Sequence, residues 1–161
     1  ITTAQKKGIV QKDHLQMAIE SMLRLNKLGA EFSGLHYVNA LTDVTGFGLL
    51  GHLIEMCEGS NLSAKINSTR IPQFEFLDFY LSQNAIPGGT LRNWDSYGNK
   101  VSVLSEFQKN ILADPQTSGG LLVSVDEAHT RDFEDFCLNF GLELKPFGEL
   151  IPRQAKVVIV E

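Results

Sequence analysis

Between Leu41 and Gly51 the chain reads L-T-D-V-T-G-F-G-L-L-G, and this stretch limits the fold more than any other. Before it, Leu35, Tyr37 and Leu41 recur at strand spacing; after it, Leu49, Leu50, Leu53, Ile54 and Cys57 recur at helical spacing. The backbone must therefore turn from strand to helix within a segment that carries a carboxylate, two hydroxyls and closely spaced glycines. A helix start with glycines that permit close approach of the backbone suits an anion, most often phosphate. Asp43 would repel phosphate unless a cation lay between them, which points to a hard ion such as Mg²⁺ bridging carboxylate and phosphate oxygens. Taken alone, the stretch has a competing structural reading, in which the glycines serve only a tight turn and Asp43 caps the helix.

Two nucleotide fingerprints can be set against this segment. Gly46-Phe47-Gly48-Leu49-Leu50-Gly51 matches G-x-G-x-x-G, but Lys65, Ile66, Asn67 and Ser68 stand where a second strand should deliver the ribose-binding acid. NAD is thereby demoted. No Lys-Ser or Lys-Thr follows the glycines, which excludes a P-loop.

Along the rest of the chain, Ile1 to Ala4 reads as the tail of a severed strand. Asp13 and Gln16 resemble a capping box for a helix with Leu15, Ala18, Ile19, Met22 and Leu23 on one face, ending at Gly29. A strand over Leu35 to Leu41 delivers Asp43 at its carboxy end, and the helix beyond the turn closes near Gly59. Leu62, Ala64 and Ile66 alternate with polar residues as a half-buried strand. Phe74, Leu77 and Leu81 mark a short aromatic helix. From Pro87 to Val103 no sustained periodicity appears, which reads as a surface excursion or a binding rim, with Arg92 solvated or touching a phosphate or partner domain. Ser105 and Gln108 form a second capping box for a helix to Leu112. Gln116-Thr117-Ser118-Gly119-Gly120 then makes a second polar loop before a strand at Leu121 to Val125; in isolation its hydroxyls would cap their own backbone. Asp126 caps a helix with Phe133, Phe136, Cys137 and Phe140 on one side and Gly141 at its end. Strands follow at Leu142 to Phe147 and Ala155 to Val160, separated by Pro152-Arg153. The sum is an α+β fold, a mixed sheet of about five strands layered with helices.

Four separated motifs in order carry a family resemblance: T-T-A-Q-K-K-G (Thr2 to Gly8), T-D-V-T-G-F-G-L-L-G-H (Thr42 to His52), P-G-G-T-L-R-N (Pro87 to Asn93) and A-D-P-Q-T-S-G-G-L-L (Ala113 to Leu122). Together they resemble the selenophosphate synthetases, also called selenide, water dikinases, from end to end of the chain. The resemblance implies a single carboxy-terminal domain over residues 1–161, of the aminoimidazole-ribonucleotide-synthetase-like type, with an amino-terminal ATP-binding domain missing. It further implies ATP, selenide and water as substrates, with selenophosphate, AMP and orthophosphate as products, in a cytoplasmic homodimer.

Under that resemblance Asp43 is a Mg²⁺ ligand, and Thr45, Gly46, Gly48, Thr117, Ser118 and Gly119 belong to the phosphate or active-site loops. No catalytic residue lies in this chain, since the reactive Cys or selenocysteine and its Lys belong to the missing domain. Alternatives are another ATP-dependent enzyme of the superfamily, such as aminoimidazole ribonucleotide synthetase or a thiamin-phosphate kinase, and a non-catalytic assembly module. If the strand bearing Asp43 and the strand after Gly120 run antiparallel, both polar loops reach one edge of the sheet, as a site converging on one polyphosphate needs.

Composition agrees with such a domain. With 161 residues, 43% of them hydrophobic, the chain can bury a core, and a net charge of −5 without a Lys/Arg block argues against a nucleic-acid surface. No apolar run approaches a membrane span. Cys57 and Cys137 read as small core residues. Of the four histidines only His52 is near the chemistry, and its position beyond Gly51 reads as turned away from the free N–H groups, a packed or capping residue.

Overall fold

The computed structural model describes residues 1–161. Its organising unit is the predicted strand-to-helix switch: β1 (Val38–Asp43) runs through the Val44–Phe47 turn into a helix over Gly48–Gly59. The strand starts three residues later than its apolar spacing suggests, because Val38 N–H closes a turn onto Leu35 O. Five strands and an α+β arrangement are present, but they form two sheets instead of one. β1 pairs antiparallel with the strand Leu121–Val125. A second sheet places Leu62–Ile66 at its centre, antiparallel to Gly148–Pro152 and parallel to Val158–Val160. In chain order these strands are β1, β2 (Leu62–Ile66), β3 (Leu121–Val125), β4 (Gly148–Pro152) and β5 (Val158–Val160).

Eight α-helices surround them: α1 (Thr2–Lys6), α2 (Lys12–Leu23), α3 (Leu28–Phe32), α4 (Gly48–Gly59), α5 (Leu77–Ser82), α6 (Gly88–Tyr97), α7 (Glu106–Leu112) and α8 (Thr130–Leu138). The two sheets are held together by α4, which touches strands of both. Its Leu50, Leu53, Ile54 and Cys57 are buried against Ala64 and Ile66 of β2, Val158 of β5, Leu112 of α7 and Leu122 of β3. Burial of a leucine such as Leu50 or Leu53 is worth about 1.5–3 kcal/mol, so this helix anchors the turn that precedes it. The other face of the β1–β3 pair is covered by Phe32 of α3 and by Phe133 and Cys137 of α8, around which Leu41, Leu121 and Val123 pack.

Several local expectations change. The first residues form α1, with Ala4 fully buried beside Tyr80 of α5, and are no strand. No capping box opens α2: its N-cap is Gln11 without a side-chain bond, and Gln16 donates to Glu20 instead. That helix ends at Leu23, and Gly29 lies inside α3, where a Cβ would stand 3.2 Å from Leu121 Cδ1. Pro87 to Val103 is no excursion. It holds α6, whose inward positions Thr90, Asn93 and Tyr97 are spaced as one helical face but are mostly polar, so apolar periodicity cannot reveal it. No strand forms over Leu142 to Phe147; Leu142 packs beside the Phe32–Phe133 cluster, and β4 begins at Gly148. The Ser105–Gln108 capping box opens α7 as expected.

Candidate active site

The antiparallel pairing of β1 with β3 puts Asp43 opposite Leu121, so the residues immediately before Leu121 lie beside the residues immediately after Asp43. The two polar loops therefore meet at one sheet edge. They are joined backbone to backbone: Val44 N–H donates to Gly120 O at 2.9 Å, and Gln116 N–H donates to Thr45 O at 3.0 Å. Gly119 lies so close to this seam that a Cβ would stand 2.0 Å from Val44 O. Gly48, at φ +69°, faces the backbone of Ala113 and Asp114, 2.8 Å from where its Cβ would be. At both positions glycine is needed for close approach, and at Gly48 also for the left-handed backbone. Gly46, by contrast, has open space where a side chain would go.

The third motif proves to be the clamp on the other two. From the buried face of α6, Asn93 Nδ2 donates to Gly46 O at 2.9 Å and to Ala113 O at 3.0 Å. Tyr97 donates its hydroxyl to Phe47 O at 2.7 Å, and Thr90 donates to Asp114 Oδ1 at 3.3 Å. Pro115 packs on Gly89, where a Cβ would approach its Cγ to 2.8 Å. Thr90, Asn93 and Tyr97 were not singled out as site residues from the sequence. A usable signal exists, since 90, 93 and 97 keep one-face helical spacing once Pro87 is taken as the residue before the helix. Arg92 of the same motif is exposed.

The remaining expected residues fall around this seam. Asp43 is exposed at the end of β1, with its carboxylate in no ion pair or hydrogen bond within the chain. Thr117 and Ser118 are exposed, Ser118 with a left-handed φ of 51°. Gly119 O accepts from Asn26 Nδ2 at 2.9 Å, which ties the loop to the segment before α3. Thr45 is half-buried, and its hydroxyl lies 3.1 Å from His52 Nε2. His52 thus leans back over the turn, as helical side chains do, and is not directed away from it. It is buried, beside the Phe47 ring, with Glu55 Oε2 3.2 Å from Nδ1.

Burial raises the pKa of Asp114 above the usual carboxylate range, against the lowering effect of hydrogen bonds from Thr90 and Gln116. Burial likewise raises the phenol of Tyr97 and pushes the Cys57 thiol up to about 11, with Cys137 raised for the same reason. Burial therefore favours the thiol over the thiolate at both cysteines. No three His, Cys, Asp or Glu side chains gather into a metal-holding group. No helix is long and apolar enough to cross a membrane.

Comparison with known proteins follows the same outline. A family model described as AIR synthase related protein, C-terminal domain, matches residues 2–161. Among curated relatives, a selenide, water dikinase of Aeromonas hydrophila is 50% identical over 153 residues, 95% of this chain and 44% of that protein. One of Haemophilus influenzae is 48% identical over 161 residues, covering 100% of this chain and 46% of the relative. One of Pseudomonas putida is 49% identical over 160 residues, 99% and 46% of the two. The chain thus spans a little under half the length of these relatives. Among solved structures, a thiamine-monophosphate kinase of Stenotrophomonas maltophilia is similar with a TM-score of 0.47 and 17% identity, over 78% of this chain and 32% of that one.

Proposed function

The chain belongs to the family of AIR synthase related proteins, as their C-terminal domain, and from that premise we propose that it supplies one wall of the active site of a selenide, water dikinase. The whole enzyme would convert ATP, selenide and water to selenophosphate, AMP and orthophosphate. The name shared by these relatives supports this reaction, and the identity of about half the residues extends it to this chain. The observation that carries the role of this domain is structural. Three separate motifs lock together by backbone and Asn93 hydrogen bonds, and of the two carboxylates at that seam Asp114 is bonded to Thr90 and Gln116 while Asp43 is left exposed with no side-chain partner.

Phosphoryl transfer asks of a protein mainly positioning and neutralisation of charge. Asp43 fits one position in the oxygen shell of Mg²⁺, because it is a hard, uncommitted carboxylate on a rigid strand end. Since the chain gathers no group of three potential ligands, the remaining oxygens would come from the nucleotide phosphates, water and carboxylates of an amino-terminal domain. When bound, Mg²⁺ supplies neutralisation of polyphosphate charge. Asp43 holds its position by the pairing of β1 with β3. Gly46 leaves open space in the turn where backbone could approach phosphate oxygens, and Gly48 lets the turn pack on the backbone of Ala113 and Asp114. Thr45, Thr117 and Ser118 line the same edge with hydroxyls, and Gly119 keeps the two loops in contact. The family resemblance extends the proposal to a cytoplasmic homodimer, with the covalent chemistry of selenium in the amino-terminal domain and no dikinase activity in residues 1–161 alone.

The direct test incubates the full-length protein with ATP, selenide and Mg²⁺ and follows phosphorus NMR. Selenophosphate with AMP and orthophosphate is the expected outcome. Turnover of ATP to ADP without a selenium-bonded phosphorus signal would move the reading to another ATP-dependent enzyme of the family. Selenophosphate made by residues 1–161 alone would show the catalytic apparatus to be misplaced.

A further inference from the structure

β1 has a paired strand on one side only, because its sheet holds just β1 and β3. Backbone bonding alternates along an antiparallel strand. Val44 N–H donates to Gly120 O at 2.9 Å, so Thr42 and Ala40, two and four residues earlier, also turn their backbone groups to β3, opposite Leu122 and Ser124. Leu41 and Asp43 turn theirs to the open side. There Leu41 N–H, Leu41 O and Asp43 N–H have no partner within the chain, and Asp43 O has only the Thr42 hydroxyl at 3.3 Å. A register shift between Val38 and Ala40 ends the regular edge before Leu41. What is left is a short run of donors and acceptors that fits an extended segment of about four residues.

Beside this edge lies a cavity of about 140 Å³, lined by Ala40, Leu41 and Thr42 of β1 and by His52, Glu55 and Met56 of α4. Open strand edges are commonly blunted by lysine or proline. Neither occurs in Val38–Asp43, and no Lys or Arg lines the cavity. The charge on its wall is that of Glu55, whose side chain is 64% exposed and which meets His52 Nδ1 at 3.2 Å through Oε2 alone. A strand added about 4.8 Å from β1 sends alternate side chains to the α4 side. A Lys or Arg entering there lays its aliphatic stem along Ala40 and Met56 and brings its charge to Glu55, whereas an acidic residue is repelled.

We propose that the open edge of β1 receives an extended, basic segment of the amino-terminal half of the full-length enzyme, added to the β1–β3 pair as a third strand with a Lys or Arg over the Glu55 cavity. The choice of occupant rests on the reading of Asp43 given above. That reading requires carboxylates of the amino-terminal half at Asp43, and Asp43 itself contributes backbone groups to the open edge. A segment paired along Leu41 and Asp43 is therefore carried to the metal ligand by the strand's own hydrogen bonds. The matched relatives have chain enough for it, since residues 1–161 span under half of their length.

Amide hydrogen exchange of the full-length protein, resolved to single residues, reads the edge directly. Leu41 and Asp43 are expected to exchange at least about 100-fold more slowly than an unpaired chain, as Thr42 and Val44 do through β3. Exchange of Leu41 and Asp43 at the unpaired rate beside protected Thr42 and Val44 would overturn the proposal. In full-length E55K, folded by circular dichroism, Leu41 and Asp43 should exchange at least about tenfold faster than in the parent while Val44 keeps its rate. Equal exchange in E55K and the parent would overturn the basic side chain at Glu55. A photo-reactive p-benzoylphenylalanine in place of the exposed Asn39 identifies the occupant. Peptides of the amino-terminal half are the expected cross-linked products; products confined to residues 1–161, of the same or a second copy, or to a different protein would overturn the assignment. None of these readings depends on turnover. An unprotected edge in an enzyme that makes selenophosphate refutes the third strand alone, and a protected edge without selenophosphate refutes the proposed reaction alone.

Discussion

Replacing Asn93 with leucine asks whether α6 truly clamps the two loops. The substitution keeps a similar volume and a good helix former but removes the amide that donates to Gly46 O at 2.9 Å and Ala113 O at 3.0 Å. The two carbonyls do not suffer equally. Gly46 is exposed, so its oxygen can take up water and loses only the net worth of a hydrogen bond, about 1 kcal/mol. Ala113 is 0% exposed, and an oxygen stranded there bears a desolvation penalty of about 1–3 kcal/mol. The sum is about 2–4 kcal/mol, a large share of the roughly 5–15 kcal/mol that stabilises a domain. Urea denaturation is the assay. With a slope of about 2 kcal/mol/M the midpoint should fall by roughly 1–2 M, while exposed Arg92→Ala should stay within about 0.5 kcal/mol of the parent. Hydrogen exchange adds a local reading, since the Gln116 and Val44 amides that close the seam should lose protection. An Asn93→Leu protein within about 0.5 kcal/mol of the parent, or with unchanged exchange at both amides, would refute the clamp.

Other consequences follow from the same seam. Gly119→Ala forces a Cβ against Val44 O and should cost about 2 kcal/mol or more in denaturant, whereas Gly120→Ala meets nothing within 4 Å of its new carbon and should cost clearly less. Asp114 has its folded pKa raised by burial, so the folded state binds more protons than the unfolded one above the ordinary aspartate value of 3.8. Its contribution is accordingly most favourable at low pH and is lost as pH rises through the raised value. Melting temperatures recorded across that window should show this falling component in the parent and lack it in Asp114→Asn. Ser105→Ala removes the hydroxyl that accepts from Gln108 N–H and should cost about 1 kcal/mol, read by the same denaturation.

What the sequence made legible was local and apolar, or local and stereotyped. The strand-to-helix switch at Asp43, α4 to Gly59, β2, the Ser105 capping box and β3 all follow from periodicity or from a cap whose partners are three residues apart. The antiparallel relation of β1 and β3 was reached from the demand that two polar loops converge, and the register Asp43 to Leu121 shows that they do. What escaped was set by partners far along the chain. The inward face of α6 is Thr90, Asn93 and Tyr97, whose reasons for burial are carbonyls at positions 46, 47 and 113 and a carboxylate at 114. Nothing within α6 announces those acceptors. The division into two sheets was hidden for the same reason, because it depends on α4 packing between strands that are distant in sequence. The direction of His52 does not follow from its place beyond Gly51, because a helical side chain covers the turn before it and here meets Thr45.

The placement of Asp43 as an oxygen ligand facing a polyphosphate is tested most directly by the Mg²⁺ dependence of selenide-dependent ATP turnover in full-length Asp43→Asn. The substitution removes one charge without changing shape at an exposed residue whose side chain bonds nothing else in the chain, so the fold and thermal stability should stay as in the parent. Turnover at limiting Mg²⁺ should drop by at least about tenfold, the equivalent of roughly 1.4 kcal/mol of lost transition-state stabilisation, and should recover in part as Mg²⁺ is raised. Turnover equal to that of the parent at limiting Mg²⁺ would contradict the assignment and leave the interlocked loops as scaffold alone.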